Sequence, residues 1–507
     1  MIDPQRAQPD GPRHTTGRVP LETLVLVGVL ALGALLRLVN LGHSSLWLDE
    51  IHTVRMAAIT MPGTIQHPGD QHPPLYYLLM HYWSQVGQSE FWLRLPSALG
   101  GFVGVCLMWP IGKAMHNRQL GLLAAIILAF SPLHLWYSRE ARMYGLASGL
   151  WAASLYFYIQ GLRRERWGDV LGFAVTTVAG IYTAYPTLGL WASELIGLMA
   201  LWPAYIGNLQ RRVRWGIAHG LIVLGILPWW PVFWTQMQNP VIFRWDISAN
   251  VADELVPSAL GSLRDPFIRW LTRIDFSSTL DQTIRHGLVL WLGLMIGVWM
   301  GAAWLARRPH WLARLHRWAS PAAGLIVGGL IGVTLVSAIP GGLSVRRQLL
   351  VFFVLFGLLA AWALIRLRRR WITMGVVSLT LALGGATAFG PPLEDWRGVA
   401  DWVARQALPS DEIVLTPVQL ASAFNYYYHG NSRAWSIDPG ELDARGSTLL
   451  IPGRRVWVVL NQHPVYRNDS QPAEAWFGLH YCLLTTHAFE QYLVVLEYQP
   501  SEHSSCP

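Results

Sequence analysis

The chain has 507 residues, of which 13% are charged and 52% hydrophobic; soluble domains carry roughly 25% charged residues, so an ordinary soluble protein is excluded. The net charge of +8 would suit a nucleic-acid partner. The basic residues, however, gather in short loops between apolar runs, which ties the charge to membrane topology and leaves no reason to invoke nucleic acid.

Apolar stretches long enough to cross a bilayer recur near 21–41, 96–115, 120–136, 143–162, 169–185, 187–206, 216–235, 286–305, 320–339, 348–365 and 372–389. They predict a polytopic α-helical membrane protein with about eleven transmembrane helices. Arg6, Arg13 and Arg18 precede the first run, which is near spanning length and longer than a signal-peptide core, so it reads as a retained helix. With the N-terminus inside, every inner segment is basic, and together these segments hold half of the 38 basic residues. This pattern predicts a multi-pass protein of the inner or plasma membrane, N-terminus cytoplasmic and C-terminus extracytoplasmic.

Three outer segments are long: 42–95, 236–285 and the tail from about 390. The tail carries 7 arginines and 13 acidic residues and reads as a small α/β domain. Its helix is expected over 394–406, with Trp396, Val399, Val403 and Ala407 on one side, and strands near 413–416, 456–460 and 492–498. The division is therefore a membrane domain over 1–389, whose outer loop 42–95 holds the candidate catalytic acids, and an extracytoplasmic domain over 390–507. Three cysteines, Cys106, Cys482 and Cys506, give no disulfide framework, although the last two share the tail and could pair.

The first outer loop opens with SLWLDEIHTVRMA, residues 45–57. Two adjacent acids beside a bilayer need a reason. Either Asp49 and Glu50 solvate the loop, or one is a general base that takes a proton from an acceptor hydroxyl as its oxygen attacks a sugar. A nearby negative charge also stabilises the oxocarbenium character of such a transition state. The loop continues with QHPPLYYLLMHYW, residues 71–83, where Pro73 and Pro74 set an extended approach to a short amphipathic helix lying in the interface. His72 is either a substrate or phosphate donor or a structural hydrogen-bond partner.

SPLHLWYSREARMYG, residues 131–145, gathers Arg139, Glu140 and Arg142 at headgroup depth. The planar guanidinium fork suits a phosphate; the alternative is an arginine paired with Glu140 that snorkels to the surface. Arg142 is the stronger phosphate candidate. Arg139, which leans toward a structural pair with Glu140, and neighbouring Tyr144 complete the candidate substrate-binding set. In GGLSVRRQLL, residues 341–350, Arg346 and Arg347 run against the positive-inside trend and want an anion, either a carrier phosphate or anionic lipid in general. Glu194, an acid inside an apolar run, is functional or bonded to a neighbouring helix.

LWLDEIHTVRMA, HPPLYYLLMHYW, SEFWLRLPSALGG, SPLHLWYSREARMYGL and IYTAYPT resemble, in this order, signature blocks of the bacterial family 39-type glycosyltransferases of the GT-C superfamily. Protein O-mannosyltransferases and lipid A aminoarabinose transferases are relatives within it. The tail stretch EDWRGVADWVARQALPSDEIVL resembles their C-terminal part. The resemblance implies a polyprenyl-phosphate-sugar-dependent transferase, usually inverting, acting on a lipid, cell-wall glycan or protein hydroxyl at the outer face. It implies Asp49 as base with Glu50 beside it, Arg142 and Arg347 on the carrier phosphate, and His72 within reach of donor or acceptor. The chain departs from the family pattern at Ala184, where a histidine is common, and at Gln348, where an aromatic is. No dense carboxylate cage is visible, so neither a divalent metal nor another cofactor is expected; membrane lipids are the remaining partner. A transporter and a non-catalytic glycan-assembly subunit are the rival readings. The absence of a two-half repeat and the gathering of charge in outer loops count against the transporter.

Overall fold

A computed structural model describes residues 20–59, 72–205, 209–238, 353–367, 369–389, 394–444, 454–462, 467–489 and 492–500. Before the tail it contains α1 (Leu21–Leu38), α2 (Leu48–Ala58), α3 (Leu75–Trp83), α4 (Glu90–Met115), α5 (Arg118–Phe130), α6 (Pro132–Ser138), α7 (Tyr144–Arg164), α8 (Trp167–Thr183), α9 (Thr187–Tyr205), α10 (Leu209–Ile226), α11 (Trp230–Gln238), α12 (Phe353–Leu367) and α13 (Arg370–Phe389). Helices cover each predicted span that falls among the described residues; the spans at 286–305 and 320–339 lie outside them. Local chemistry sets several starts. Ser89 accepts from the Trp92 N–H before α4, and Asn117 accepts from the Leu120 N–H before α5.

Among the described residues, four helices are long and apolar enough to cross a membrane: Leu21–Leu38, Glu90–Met115, Leu209–Gln236 and Arg370–Phe389. The pair α5 and α6, bent by 60°, makes up to five. The break falls at Pro132, which has no N–H to continue the helix. Arg37 compensates: its Nη1 donates to the carbonyl of Ala129 at 3.1 Å, near the open end of α5. Among the described residues, fewer helices reach the apolar standard than the nine expected spans that fall there in whole or in part. α7 illustrates why, since Gly145, Ser148, Gly149 and Ser154 are all buried there. A face that meets protein need not be as apolar as one that meets lipid.

α4 and α7 approach until their backbones touch. A Cβ on Gly145 would run into the carbonyl oxygen of Ser97, and one on Gly149 into that of Gly100. Small residues permit this approach. It holds the N-terminal end of α7, and the connection 139–143 before it, close against α4.

The tail adds α14 (Trp396–Gln406), β1 (Glu412–Thr416), α15 (Ala421–Tyr427), β2 (Arg433–Ser436), β3 (Val456–Asn461), α16 (Arg467–His480), β4 (Tyr481–Phe489) and β5 (Leu493–Pro500). The sheet order is β2-β1-β3-β5-β4, with β1 parallel to β2 and β3, and β5 antiparallel to β3 and β4. Every residue of β1 and β3 is buried, as expected for central strands covered on both faces. α14, capped by Asp395, buries Trp396, Val399, Ala400 and Val403. These join one continuous core with Trp457 and Val495 of the sheet and with Leu46, Ile51 and Leu135 of the helical body. Phe477 and Ala473 of α16 pack with Val458, Leu460 and Val494 in a second core cluster. Cys106 is free and Cys482 is disulfide-bonded; Cys506 lies outside the described residues.

Candidate active site

The site is assembled around the first turn of α2. Glu50 is the third residue of that helix, and its Oε2 accepts the Trp47 N–H at 3.2 Å, closing the helix start. The same carboxylate is gripped by Arg94 of α4, with Nε to Oε1 at 2.8 Å and Nη2 to Oε2 at 2.7 Å. The Ala141 N–H donates to Oε1 at 2.7 Å. Each oxygen of Glu50 thus receives two hydrogen bonds, and the residue is fully buried. These four bonds give Glu50 a part in fixing the start of α2. Arg94 also donates to the carbonyls of Leu41, Ser44 and Ser45, each at 2.9 Å. One ion pair therefore ties the loop before α2, α4 and residue 141 together.

Asp49, one position earlier, is half-buried. Its carbonyl accepts from Thr53 Oγ1 and from Arg142 Nη1, both at 3.1 Å. Arg142 is buried, 3% exposed. Its Nη1 also reaches Thr53 Oγ1 at 3.1 Å, and its Nη2 lies 2.9 Å from His72 Nε2. A guanidinium only donates, so Nε2 of His72 accepts and the imidazole proton sits on Nδ1. Behind this group, Ser97 Oγ donates to the Arg142 carbonyl and lies 3.1 Å from the Tyr76 hydroxyl. Burial raises the Tyr76 phenol above its ordinary value and keeps it a hydroxyl. Three candidates from separate segments, Asp49, His72 and Arg142, thus meet at one point.

The other candidates are placed differently. Arg139 donates to the carbonyls of Leu36 at 3.3 Å, Val39 at 2.8 Å and Ala388 at 2.9 Å. It closes the C-terminal ends of α1 and α13, where a cation is favoured. Tyr144 begins α7 and is buried, its ring edge-to-face with Tyr137 at 5.2 Å. Glu194 is fully buried and accepts from Ser154 Oγ of α7 at 3.2 Å. Arg346 and Arg347 lie outside the described residues. Among the described residues, no group of three or more His, Cys, Asp or Glu is placed to hold a metal ion.

Two contributions escaped sequence reading. Arg94 carried one signal, an arginine one turn into an apolar helix, but no local partner pointed to Glu50. The tail carried none. Ser45 Oγ donates to the Glu394 carbonyl at 2.9 Å across 349 residues and accepts the Trp396 N–H at 3.0 Å. The Leu46 N–H donates to the Tyr427 hydroxyl at 2.7 Å, which in turn donates to Glu90 Oε1 at 3.2 Å.

Comparison with known proteins adds the following. Residues 71–234 match the family model described as dolichyl-phosphate-mannose-protein mannosyltransferase. No curated protein matches the sequence. Among solved structures, ArnT from Cupriavidus metallidurans in the apo state is 15% identical, covering 94% of this chain and 97% of its own, with a TM-score of 0.46. The Archaeoglobus fulgidus oligosaccharyltransferase in the apo form is 13% identical over 95% of this chain and 75% of its own, TM-score 0.41. The S. cerevisiae Pmt1-Pmt2 complex bound to the sugar donor is 17% identical over 43% of this chain and 35% of its own, TM-score 0.33. The segment that matches this family model holds His72, Arg94 and Arg142.

Proposed function

We propose that the chain is a membrane glycosyltransferase that moves a sugar from a polyprenyl-phosphate carrier to a hydroxyl group at the outer face, with Asp49 as general base. The observation that carries this reading is the junction of Asp49, Arg142 and His72, in which a buried cation is held against the main chain of a half-buried acid. The family matched over residues 71–234 supports a lipid-phosphate sugar as donor.

In this reaction the Asp49 carboxylate takes the proton of the acceptor hydroxyl, and the freed oxygen attacks C1 of the sugar. The bond from C1 to the phosphate oxygen breaks, and the carrier phosphate leaves with the electron pair. Attack opposite the leaving group inverts the anomeric centre. Arg142 faces the developing phosphate charge with charge-assisted donors, and His72 holds the guanidinium in orientation. Glu50 and Arg94 keep the first turn of α2 in place. Arg346 and Arg347 remain phosphate ligands in this proposal, on the sequence argument alone. The acceptor is a lipid, a cell-wall glycan or a protein. The cytoplasmic N-terminus and extracytoplasmic tail belong to the same proposal, supported by the basic inner loops.

The test is a purified-protein assay against a panel of polyprenyl-phosphate sugars, scoring donor hydrolysis and transfer to added acceptors. Turnover of at least one donor with inverted product is expected. Because arginine and not a metal ion is assigned to the phosphate, turnover in excess EDTA is expected too. Binding of every donor without turnover of any would contradict the reading and favour a non-catalytic subunit.

A further inference from the structure

Glu194 is a buried acid that the proposed mechanism leaves unused. It lies seven residues past the start of α9, about 10 Å along that helix, and it is fully buried. Among the described residues its hydrogen-bond partner is Ser154 of α7 alone, whose Oγ stands 3.2 Å from both carboxyl oxygens. Ser154 Oγ is also 2.9 Å from Thr177 Oγ1 of α8, and that threonine hydroxyl donates to the Phe173 carbonyl at 2.7 Å. One serine hydrogen therefore faces three oxygens, and among the described residues no cation stands against the carboxylate. One turn further along the same face of α7 is Tyr158, 4% exposed, with its ring edge-on to Trp215. Its hydroxyl has no hydrogen-bond partner, and the charge of Glu194 reaches it. An acid without a counter-charge and a phenol without a partner are each costly away from water, and here they occur together.

We propose that Glu194, Ser154, Thr177 and Tyr158 form a binding site for a monovalent metal cation of sodium's size inside the helical body. All four present oxygen, the donor atom of hard cations, and one carboxylate calls for one positive charge. For a divalent ion the site is short of charge: among the described residues, no group of three or more His, Cys, Asp or Glu is placed to hold one. The spacing separates a metal ion from a proton. A proton on Glu194 would draw one carboxyl oxygen to about 2.7 Å from Ser154 Oγ and leave the other further off. The two are instead equal at 3.2 Å. Oxygens that share a cation at about 2.4 Å stand roughly 3–3.5 Å from one another, which is the spacing here. The ion supplies the charge that an acid among apolar helices needs, and the Tyr158 oxygen turns a lone pair to it. Because α7 starts two residues after Arg142, the bound ion fastens the helix that follows that arginine to α8 and α9.

The test uses the full chain in detergent at fixed pH and ionic strength, with choline as the replacing cation. Binding of radiolabelled sodium and thermal unfolding are measured for the parent, E194Q and Y158F. The parent should bind sodium saturably and unfold at a higher temperature as sodium replaces choline, since an ion held by the folded state alone stabilises it by mass action. E194Q keeps the shape and loses the charge, so saturable binding and the sodium-dependent shift should both vanish. Y158F should weaken sodium binding by about tenfold, the low end of what a lost supporting group costs a metal site. A merely structural cluster gives a different pattern: no sodium dependence in any of the three, and a more stable Y158F, because an unpaired buried hydroxyl has been removed. Absence of sodium binding in the parent, or equal binding in the parent and E194Q, overturns the proposal. If E194Q does not fold, Y158F decides, and parental sodium affinity in that variant overturns it. Turnover is not read here, so failure of this site and failure of the Asp49 assignment remain distinct.

Discussion

At the scale of single residues, the proposed function assigns structure to the pair Glu50–Arg94 and chemistry to the pair Arg142–His72. Arg94→Met leaves a fully buried carboxylate without its cation, and loss of one partner of such a pair costs about 3–5 kcal/mol. The double variant Glu50→Leu with Arg94→Met should recover part of that loss, which thermal unfolding in detergent will read as non-additivity. Arg142→Lys keeps the charge but cannot reach the Asp49 carbonyl, Thr53 and His72 at once. Its donor KM is expected to rise by on the order of ten- to a hundredfold, in line with the loss of charge-assisted hydrogen bonds, with some loss of stability from the buried partners left unbonded. Asp49, His72 and Arg142 could be singled out as candidates because each stands in a local pattern: acids just after an apolar run, a histidine before Pro73–Pro74, arginines at headgroup depth. The pairing of Glu50 was not legible, because adjacent acids look alike until Arg94, 44 positions away, is brought against one of them.

At the scale of elements, contact between α4 and α7 sets the position of Arg142. Gly145→Ala pushes a Cβ into the Ser97 carbonyl, whose neighbour Ser97 Oγ holds the Arg142 main chain. Overpacking of this kind costs about 1–3 kcal/mol, and turnover should fall with stability, read by unfolding and rate on one preparation. Arg139→Ala separates the two readings of that residue. It opens the ends of α1 and α13, so stability should drop while donor KM stays unchanged; a KM rise at unchanged stability would return Arg139 to the phosphate ligands. Spanning helices were legible because about 20 apolar residues have few other uses. The single span expected over 120–136 is in fact broken at Pro132, a signal present in the sequence and outweighed by the apolar run around it. In the tail, β1, β3 and β5 were read from their buried apolar runs. The strands β2 and β4 were missed, because both are largely exposed and carry no apolar periodicity.

At the scale of the whole molecule, the tail is part of the site's support. Its core is continuous with that of the helical body, and Ser45, Leu46 and Arg55 of the Asp49 segment are bonded to Glu394, Tyr427 and Ser422. No sequence pattern links positions so far apart, so this dependence of the candidate active-site loop on the last quarter of the chain emerges only from the fold. The central claim is that the carboxylate of Asp49 accepts the acceptor's proton. Its most direct test is Asp49→Asn, measured for turnover of a polyprenyl-phosphate sugar, for donor binding and for thermal unfolding on the same preparation. The account predicts turnover lost by at least about a hundredfold, the low end of general-base contributions, with donor binding and unfolding temperature close to the parent. Turnover at the parental rate in a folded, donor-binding Asp49→Asn protein would contradict it.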